Sequence, residues 1–361
     1  MPQCCRKLVW VLYALAVVSH ATVCYSEEQQ SSPEATTCFS PSSSFADHDV
    51  VLVKIGGSSI TNKAQKETLN QEALDWFAEA VRPVLSRNFC APSGSDDIVT
   101  GRIHNNESAL AKGRPIAFVV VHGAGSFGHH QAKEFGLQGQ TAAAPTEAAV
   151  DEKQRRFAMQ GLATTRLSVL HLNHYVVSSL LANGINAIGI SPCFSNRHME
   201  ADGRDTVAQE ELIQSVEASL KAGLVPVLHG DACLYGRDGA GILSGDTVVE
   251  ILAKAPWISR VLFLTDVDGV FDKDPRMYSD ANLLRSIQVD AKTGSIVGVK
   301  VDASGSSHEQ DTTGGLKTKL ASAVAVVNLG LNVTIARCGS TSAQQAIQSI
   351  ADIERATILF R

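Results

Sequence analysis

Residues 50–63 read VVLVKIGGSSITNK, an apolar run that ends in two adjacent glycines and a lysine. Residues 50–55 have the length and branched side chains of a buried strand, and Gly56-Gly57 predicts a tight turn at its end. Glycines directly after a strand let backbone N–H groups approach phosphate oxygens. Lys54 and Lys63 lie on either side of this turn, and this arrangement favours phosphate chemistry. A tight turn flanked by two solvated lysines without a function would have the same sequence pattern.

Apolar runs closed by glycine or polar residues recur along the chain. Further buried strands are predicted at residues 116–121, 187–190, 224–228, 260–264 and 332–336, and helices at 71–86, 158–183, 209–222 and 318–329. Strands that alternate with helices predict an α/β fold with a mostly parallel sheet covered on both faces. Residues 88–114 are polar and lack a period, so they are predicted to be a surface insertion.

The composition narrows the class of protein. The chain has 361 residues, is 44% hydrophobic and carries a formal net charge of −6. A protein that binds nucleic acid generally carries a basic face, so nucleic acid is not expected as a partner. The sequence has no Walker phosphate loop, no dinucleotide-binding GxGxxG turn after the first strand and no protein-kinase motif set, which excludes those three classes.

Residues 1–47 differ from the rest of the chain. Arg6 and Lys7 precede an apolar run at residues 8–18, and this order is typical of a signal peptide. The apolar run is shorter than the roughly 20 residues that a membrane-spanning helix needs. The polar residues 26–46 that follow predict a disordered linker. The alternative is a misassigned start ahead of a cytosolic enzyme. Membrane contact is expected only through this segment, if it stays uncleaved.

The cysteines predict no metal site and no disulfide framework. Four of the eight lie in the first 47 residues, and Cys90, Cys193, Cys233 and Cys338 are far apart and form no CxxC pair. We therefore expect these four to be free thiols.

Two further regions suggest anion binding. Residues 122–130 read HGAGSFGHH after a predicted strand, and an imidazole at a helix start can donate a hydrogen bond to an anionic acceptor. The carboxyl-terminal half holds the stretches SGD at 244–246, TDVDGVF at 265–271 and DTTGGLKTK at 311–319. Aspartates at strand ends can bind Mg²⁺ or ribose hydroxyls. The last stretch opens a helix, whose N–H groups and Lys319 could hold nucleotide phosphates.

Taken in order, six motifs resemble the amino acid kinase superfamily, and within it the isopentenyl phosphate kinases. They are VLVKIGGSSITNK, VVVHGAGSFGHH, PVLHGD, ILSGD, LTDVDGVFDKDP and DTTGGLKTKL. The resemblance covers residues 48–361 and implies a three-layer αβα sandwich, with an acceptor lobe at 48–232 and a nucleotide lobe at 233–361. It also implies ATP and Mg²⁺ as cofactors, isopentenyl phosphate as acceptor, a role in isoprenoid biosynthesis, a cytosolic location and a homodimer.

The resemblance also assigns roles to individual residues. It makes Lys54, Lys63 and His129 catalytic. It places Lys54, Gly56, Gly57, Ser58, Ala124, Asp266, Asp268, Phe271, Gly315 and Lys319 at ATP. It places Gly123, Gly128, His129, Gly230 and Asp231 at the acceptor, and it implies no metal ligand from the protein. The chain departs from the family pattern at Asn62, Ala124 and Leu316, and the Ala124 methyl group narrows the space beside the phosphates.

Two alternatives stay open from the sequence. One is a kinase for another acceptor, such as a phosphonate of the fosfomycin type. The other is a catalytically silent member of the family that binds nucleotide without transferring phosphate, although the presence of Lys54, Lys63, His129 and Lys319 together argues against it.

Overall fold

The computed structural model describes residues 48–62, 64–87, 114–137, 152–193, 205–235, 239–275, 277–298, 315–350 and 353–361. The predicted leader at 1–47, nearly all of the predicted insertion at 88–114, and Lys63 lie outside this range. No helix in the described part of the chain is both long and apolar enough to cross a membrane.

An eight-stranded sheet forms the centre of the fold, with the strand order β3-β4-β2-β1-β7-β9-β10-β8. Its strands are β1 Asp49–Ile55, β2 Ile116–His122, β3 Ala187–Gly189, β4 Val225–His229, β7 Ile258–Thr265, β8 Ser286–Gln288, β9 Asn332–Arg337 and β10 Ala356–Phe360. All pairs are parallel except β9 with β10. The predicted mostly parallel sheet is confirmed.

Helices lie between the strands, together with one separate hairpin. The α-helices are α1 Gly57–Ile60, α2 Gln71–Arg87, α3 His129–Glu134, α4 Glu152–Ala182, α5 Thr206–Lys221, α6 Gly245–Leu252, α7 Gly315–Asn328 and α8 Thr341–Ile347, and Gly125–Phe127 is a 3₁₀ helix. The hairpin pairs β5 Asp231–Tyr235 with β6 Gly239–Leu243. Helix α4 begins earlier than predicted, because its charged first turn shows no apolar period.

Alternate residues of β1 enter two separate hydrophobic cores, one on each side of the sheet. Val50 and Leu52 pack with α5, α6 and α7 on one face. Val51, Val53 and Ile55 pack with α2, α4 and α8 on the other. All five side chains are fully buried, and each contributes about 1.5–3 kcal/mol to stability. The fold is therefore the expected three-layer αβα sandwich.

The prediction of free thiols was wrong for two cysteines. Cys193 follows β3 and Cys233 lies in β5, and the two form a disulfide with their Cα atoms 6.0 Å apart. The two cysteines are 40 residues apart in the sequence, which therefore does not indicate that they pair; only the fold brings these segments together. Cys338 is free, and burial raises the pKa of its thiol to about 11. Cys90 lies outside the described residues.

Candidate active site

The glycine turns after β1, β2 and β4 are joined in a row at one edge of the sheet. The N–H of Gly56 donates to Leu264 O at 2.8 Å, which attaches the first turn to β7. The N–H of Gly123 donates to Ile55 O at 2.9 Å, and that of Gly230 donates to His122 O at 3.0 Å. Each turn is therefore hydrogen-bonded to the strand beside it, and the three turns lie side by side at the carboxyl ends of these strands.

The first two turns are packed backbone against backbone. A Cβ atom at Gly57 would lie 2.3 Å from the N atom of Gly125, and one at Gly123 would lie 2.7 Å from the N atom of Gly57. Both distances are closer than a side chain can approach, so glycine is required at both positions. The contact gathers the main-chain amides of two turns in one place, which is the surface that phosphate oxygens need.

A buried ion pair lies beside these turns. The alternation along β1 that places Val50 and Leu52 against α6 also directs Lys54 to that face. There its Nζ lies 2.7 Å from Asp246 Oδ1, and both side chains are less than a tenth exposed. Asp246 stands in the first turn of α6, whose N-cap Ser244 accepts a hydrogen bond from the N–H of Thr247 at 3.0 Å. The sequence marked SGD as a motif but did not include Asp246 among the site residues.

His129 begins α3 directly after the second turn, and it is partly exposed. The preceding Gly128 is tightly enclosed, since a Cβ there would lie 2.7 Å from Ala124 Cβ and 2.9 Å from Val169 Cγ2. The Ala124 methyl group is thus packed against Gly128. This contact fixes the start of α3, and with it the position of His129 at the end of the glycine turn.

Two buried histidines, His122 and His229, end β2 and β4 and are neighbours in the sheet. Their ring centroids lie 5.7 Å apart. Burial, and after it the repulsion that a protonated His229 would exert, lowers the pKa of His122 to about 3, and burial also lowers the pKa of His229. Their Nδ1 atoms lie 3.1 Å and 3.0 Å from the carbonyl oxygens of Gly123 and Gly230. Both rings are therefore neutral, with Nδ1–H donating to a turn glycine.

Gly230 and Asp231 were predicted near the acceptor, and they lie at the end of β4 next to the other turns. A Cβ on Gly230 would lie 2.9 Å from the N atom of Gly245, so this turn also touches the start of α6. The Asp231 carboxylate is buried and accepts from Ser191 Oγ at 2.7 Å, while an Arg166 nitrogen donates to the same hydroxyl at 2.8 Å. Sequence reasoning missed Arg166 and Ser191, which are remote along the chain.

The predicted nucleotide residues gather around the end of β7. Lys319 on α7 donates from Nζ to Thr265 Oγ1 at 3.4 Å, and Thr265 in turn donates to Asp266 Oδ1 at 3.1 Å. Leu264 pairs with Ile55 of β1, so this group adjoins the first glycine turn. The backbone of Phe271 pairs with that of Leu283 in an isolated antiparallel β-bridge.

Asp268, which the family resemblance places at ATP, forms ion pairs with two arginines. Its Oδ1 lies 3.0 Å from Arg337 Nε, and its Oδ2 lies 2.6 Å from an Arg355 nitrogen. Both oxygens of this buried carboxylate are thus engaged by arginines at the end of β9 and before β10. Gly315 begins α7, whereas the side chains of 315–317 and all of Lys63 lie outside the described part of the chain.

The fold and the site together define a phosphotransferase. Glycine turns that bring main-chain amides together, a buried lysine beside the first turn and a second lysine, on α7, that contacts the end of β7 are the parts that phosphoryl transfer requires. The chain belongs to the amino acid kinase family, whose model matches residues 49–337.

Relatives and solved structures agree with this membership. The chain is 35% identical to an isopentenyl phosphate kinase of Arabidopsis thaliana, over 82% of this chain and 89% of that protein. It is 32% identical to the isopentenyl phosphate kinase of Methanothermobacter thermautotrophicus, over 65% and 74% of the two chains. The crystal structure of the product complex of T. acidophilum isopentenyl phosphate kinase covers 86% of this chain, with 99% of its own length aligned, a TM-score of 0.56 and 23% identity. That structural likeness concerns the fold.

Proposed function

We propose that this chain transfers the γ-phosphoryl group of ATP to isopentenyl phosphate and forms isopentenyl diphosphate for isoprenoid biosynthesis. The observation that carries the proposal is the backbone contact of the turns at Gly57 and Gly125 beside the buried Lys54. Relatives named isopentenyl phosphate kinase, with up to 89% of their length matched, support the choice of acceptor.

The proposed roles follow the family resemblance. Lys54, Gly56, Gly57 and Ser58 contact the transferring phosphoryl group, and Lys63 stabilises the charge that develops on it. The acceptor phosphate is held by His129 and by the turn glycines Gly123, Gly128 and Gly230. Asp231 acts indirectly, since Ser191 and Arg166 already engage its carboxylate. The nucleotide is bound by Ala124, Asp266, Asp268, Phe271, Gly315 and Lys319.

The proposed reaction is a direct in-line displacement. An oxygen of the acceptor phosphate is already anionic, so the attack needs no strong general base. What remains for the protein is to align two polyanions and to offset their charge, and Lys54 and the turn amides can do both. The neutral His122 and His229 add no charge but hold the turns through Nδ1.

Mg²⁺ is proposed to enter as the complex of ATP, where it neutralises charge on the phosphates. Mg²⁺ usually keeps several waters and binds through substrate phosphates with one or two carboxylates. No group of three or more histidine, cysteine or acidic side chains that could hold a metal exists within the described ranges. Asp268 is paired with two arginines, so the exposed Asp266 is the more suitable carboxylate for this ion.

The acceptor can be identified by measuring ADP release with Mg-ATP against isopentenyl phosphate, dimethylallyl phosphate, fosfomycin, UMP and acetylglutamate. We expect turnover on isopentenyl phosphate, and a loss of about 10- to 100-fold in kcat/KM for it in His129→Ala, which removes one hydrogen bond to a charged group. Lys133→Ala, which removes an exposed charge from the other end of α3, is the matched control. Turnover on another acceptor alone would show that the substrate assignment is wrong. ATP binding without any turnover would favour a catalytically silent member of the family.

We also propose a homodimer through α4 and the edge strand β3. Leu167, Leu170 and Leu181 are spaced to share one face of α4 and are 57%, 39% and 51% exposed. Ile188, 40% exposed, lies on β3, the edge strand among the described residues, and proteins rarely leave such an edge unprotected. Leu170→Glu is expected to give monomers in light scattering, whereas Leu329→Glu, at an exposed position after α7, should not. A monomeric unmodified chain would contradict this assembly.

The division of the chain is likewise a proposal. Residues 48–232 would form the acceptor lobe and residues 233–361 the nucleotide lobe. The positions of His129 and Gly230 in the first, and of Asp266 and Lys319 in the second, support it. The signal-like leader at 1–47 stays a prediction. Secretory or organelle localisation of a fluorescent protein fused behind it would support a targeting role, and a diffuse cytosolic signal would favour a misassigned start and a cytosolic enzyme.

A further inference from the structure

A short segment between α1 and α2 is tied to the second glycine turn. At its start, Thr61 Oγ1 accepts from the N–H of Ser126 at 3.0 Å and donates to Gly57 O at 2.8 Å. Further along, the N–H of Thr68 donates to Ser126 Oγ at 3.2 Å, and the N–H of Glu67 donates to Ser126 O at 3.1 Å. The segment is thus fixed on Ser126, between the two turns of the candidate site.

Glu67 occupies an unusual backbone conformation within this segment. Its φ of 52° is left-handed, a region that costs a non-glycine residue about 1–3 kcal/mol and persists only when other contacts enforce it. Glutamate offers no intrinsic advantage there, unlike glycine or asparagine. The left-handed conformation of Glu67 therefore indicates that contacts of its side chain outweigh the backbone strain.

The Glu67 side chain makes these contacts with two helices. Its Oε1 accepts from Gln131 Nε2 at 2.7 Å and from Ser168 Oγ at 2.6 Å. A third bond, from Gln131 Nε2 to Ser168 Oγ at 3.0 Å, closes the group. Gln131 and Ser168 are 1% and 2% exposed, so the carboxylate reaches polar groups that water does not satisfy. Hydrogen bonds to a charged group are about twice as strong as neutral ones.

We propose that Glu67 is a positioning residue that clamps α3 to α4 and to the second glycine turn, and so holds His129 in place for the acceptor phosphate. The inference rests on the proposed function, since it assigns His129 to that phosphate. Gln131 is two residues beyond His129 in the six-residue helix α3, so a shift of one displaces the other. Helix α3 is too short to hold its own position without such contacts.

A purely structural role for Glu67 predicts a different pattern of effects. If Glu67 only stabilised the fold, its loss would lower the melting temperature and leave the KM values of the folded enzyme unchanged. If it positions His129, its loss raises the KM for the acceptor far more than the KM for ATP, because most of the proposed nucleotide contacts lie outside the second glycine turn. Glu67→Gly separates the two cases, because glycine removes the clamp and also relieves the left-handed strain.

The test measures KM for isopentenyl phosphate and for ATP in Glu67→Gly, Glu67→Gln and Ser168→Ala. We expect Glu67→Gly to raise the acceptor KM about 10- to 100-fold, as for lost hydrogen bonds to a charged group, with the ATP KM within about threefold. Glu67→Gln keeps an oxygen acceptor and should restore most of the affinity. Glu67→Gly combined with Ser168→Ala should be no worse than Glu67→Gly alone, because both act through one group. Glu79→Ala, on the exposed side of α2, is the control.

Equal changes in both KM values, or none, would overturn the clamp. If the unmodified chain prefers another acceptor, the proposed function fails and the same comparison is made with that acceptor. If the unmodified chain turns over none of the acceptors, amide hydrogen exchange tests the clamp instead. Residues 129–134 should exchange at least about tenfold faster in Glu67→Gly than in the unmodified chain, with the middle of α2 unchanged. Unchanged exchange in α3 would end the proposal.

Discussion

Replacing Lys54 by methionine is expected to lower kcat by about 10²- to 10³-fold, the effect of removing one preorganised donor from a transition state. Lys54 is the penultimate residue of β1, directly before the first glycine turn, and its side chain is shielded from water. A charge in such a place acts on a phosphoryl group far more strongly than a solvated one does. Methionine keeps the length and the apolar contacts of the side chain, so the loss concerns the charge.

The variant should still fold. Losing Lys54 leaves the Asp246 carboxylate without its partner, but this carboxylate stands in the first turn of α6, where the helix N-terminus stabilises negative charge. Single-turnover rates with saturating Mg-ATP and acceptor give the effect on the chemical step. Lys221→Met serves as the control, because Lys221 is exposed and pairs with Glu217 within its own helix, away from the glycine turns. Turnover within a factor of ten of the unmodified chain would remove Lys54 from the catalytic group.

Replacing Asp246 by asparagine is expected to have the largest effect on stability. The change leaves the Lys54 ammonium buried, 5% exposed, without a counter-charge. Breaking a buried pair from one side costs about 3–5 kcal/mol in the free energy of unfolding. The N-terminus of α6 stabilises the carboxylate but repels the ammonium, so Asp246→Asn should destabilise more than Lys54→Met. Urea titration measures both.

The double variant separates the pair from its surroundings. Lys54→Met with Asp246→Asn removes both charges and should recover most of the stability that Asp246→Asn loses, so that the two effects are far from additive. Its turnover should stay as low as that of Lys54→Met. Additive stability losses would show that the two side chains do not interact, in spite of the 2.7 Å between them.

Local patterns predicted most of the fold. Six strands and the main helices were predicted from apolar runs and helical periods, because burial on both faces of a parallel sheet leaves continuous apolar stretches. The hairpin of β5 and β6, helices α6 and α8, and strands β8 and β10 were missed. These elements are short or rich in small residues, and β10 pairs antiparallel to β9 through contacts that no local pattern reveals.

The candidate site was located by its turns but not by its partners. Glycine after a strand is a local signal, so the turns at Gly57 and Gly123 could be found, whereas Gly230 was assigned through the family resemblance. The strand order of the sheet decides that these turns are neighbours. Asp246 was overlooked as a partner because an aspartate after an N-cap serine is common at helix starts and gives no sign of its ion pair. The arginines around Asp268 and the contacts of Glu67 come from distant segments and have no sequence signature.

The sequence by itself determined the αβα class, the strand-end glycine turns and the residue types available for phosphate binding, since these depend on burial and backbone geometry over a few residues. Only the tertiary structure decided which charges are paired, which are neutral and which cysteines are joined. Those outcomes depend on distances between segments 40 to several hundred residues apart, as for Cys193 with Cys233 or Asp49 with Ser349. A side chain's charge and reach are local properties, but its partner is chosen by the folding of the whole chain.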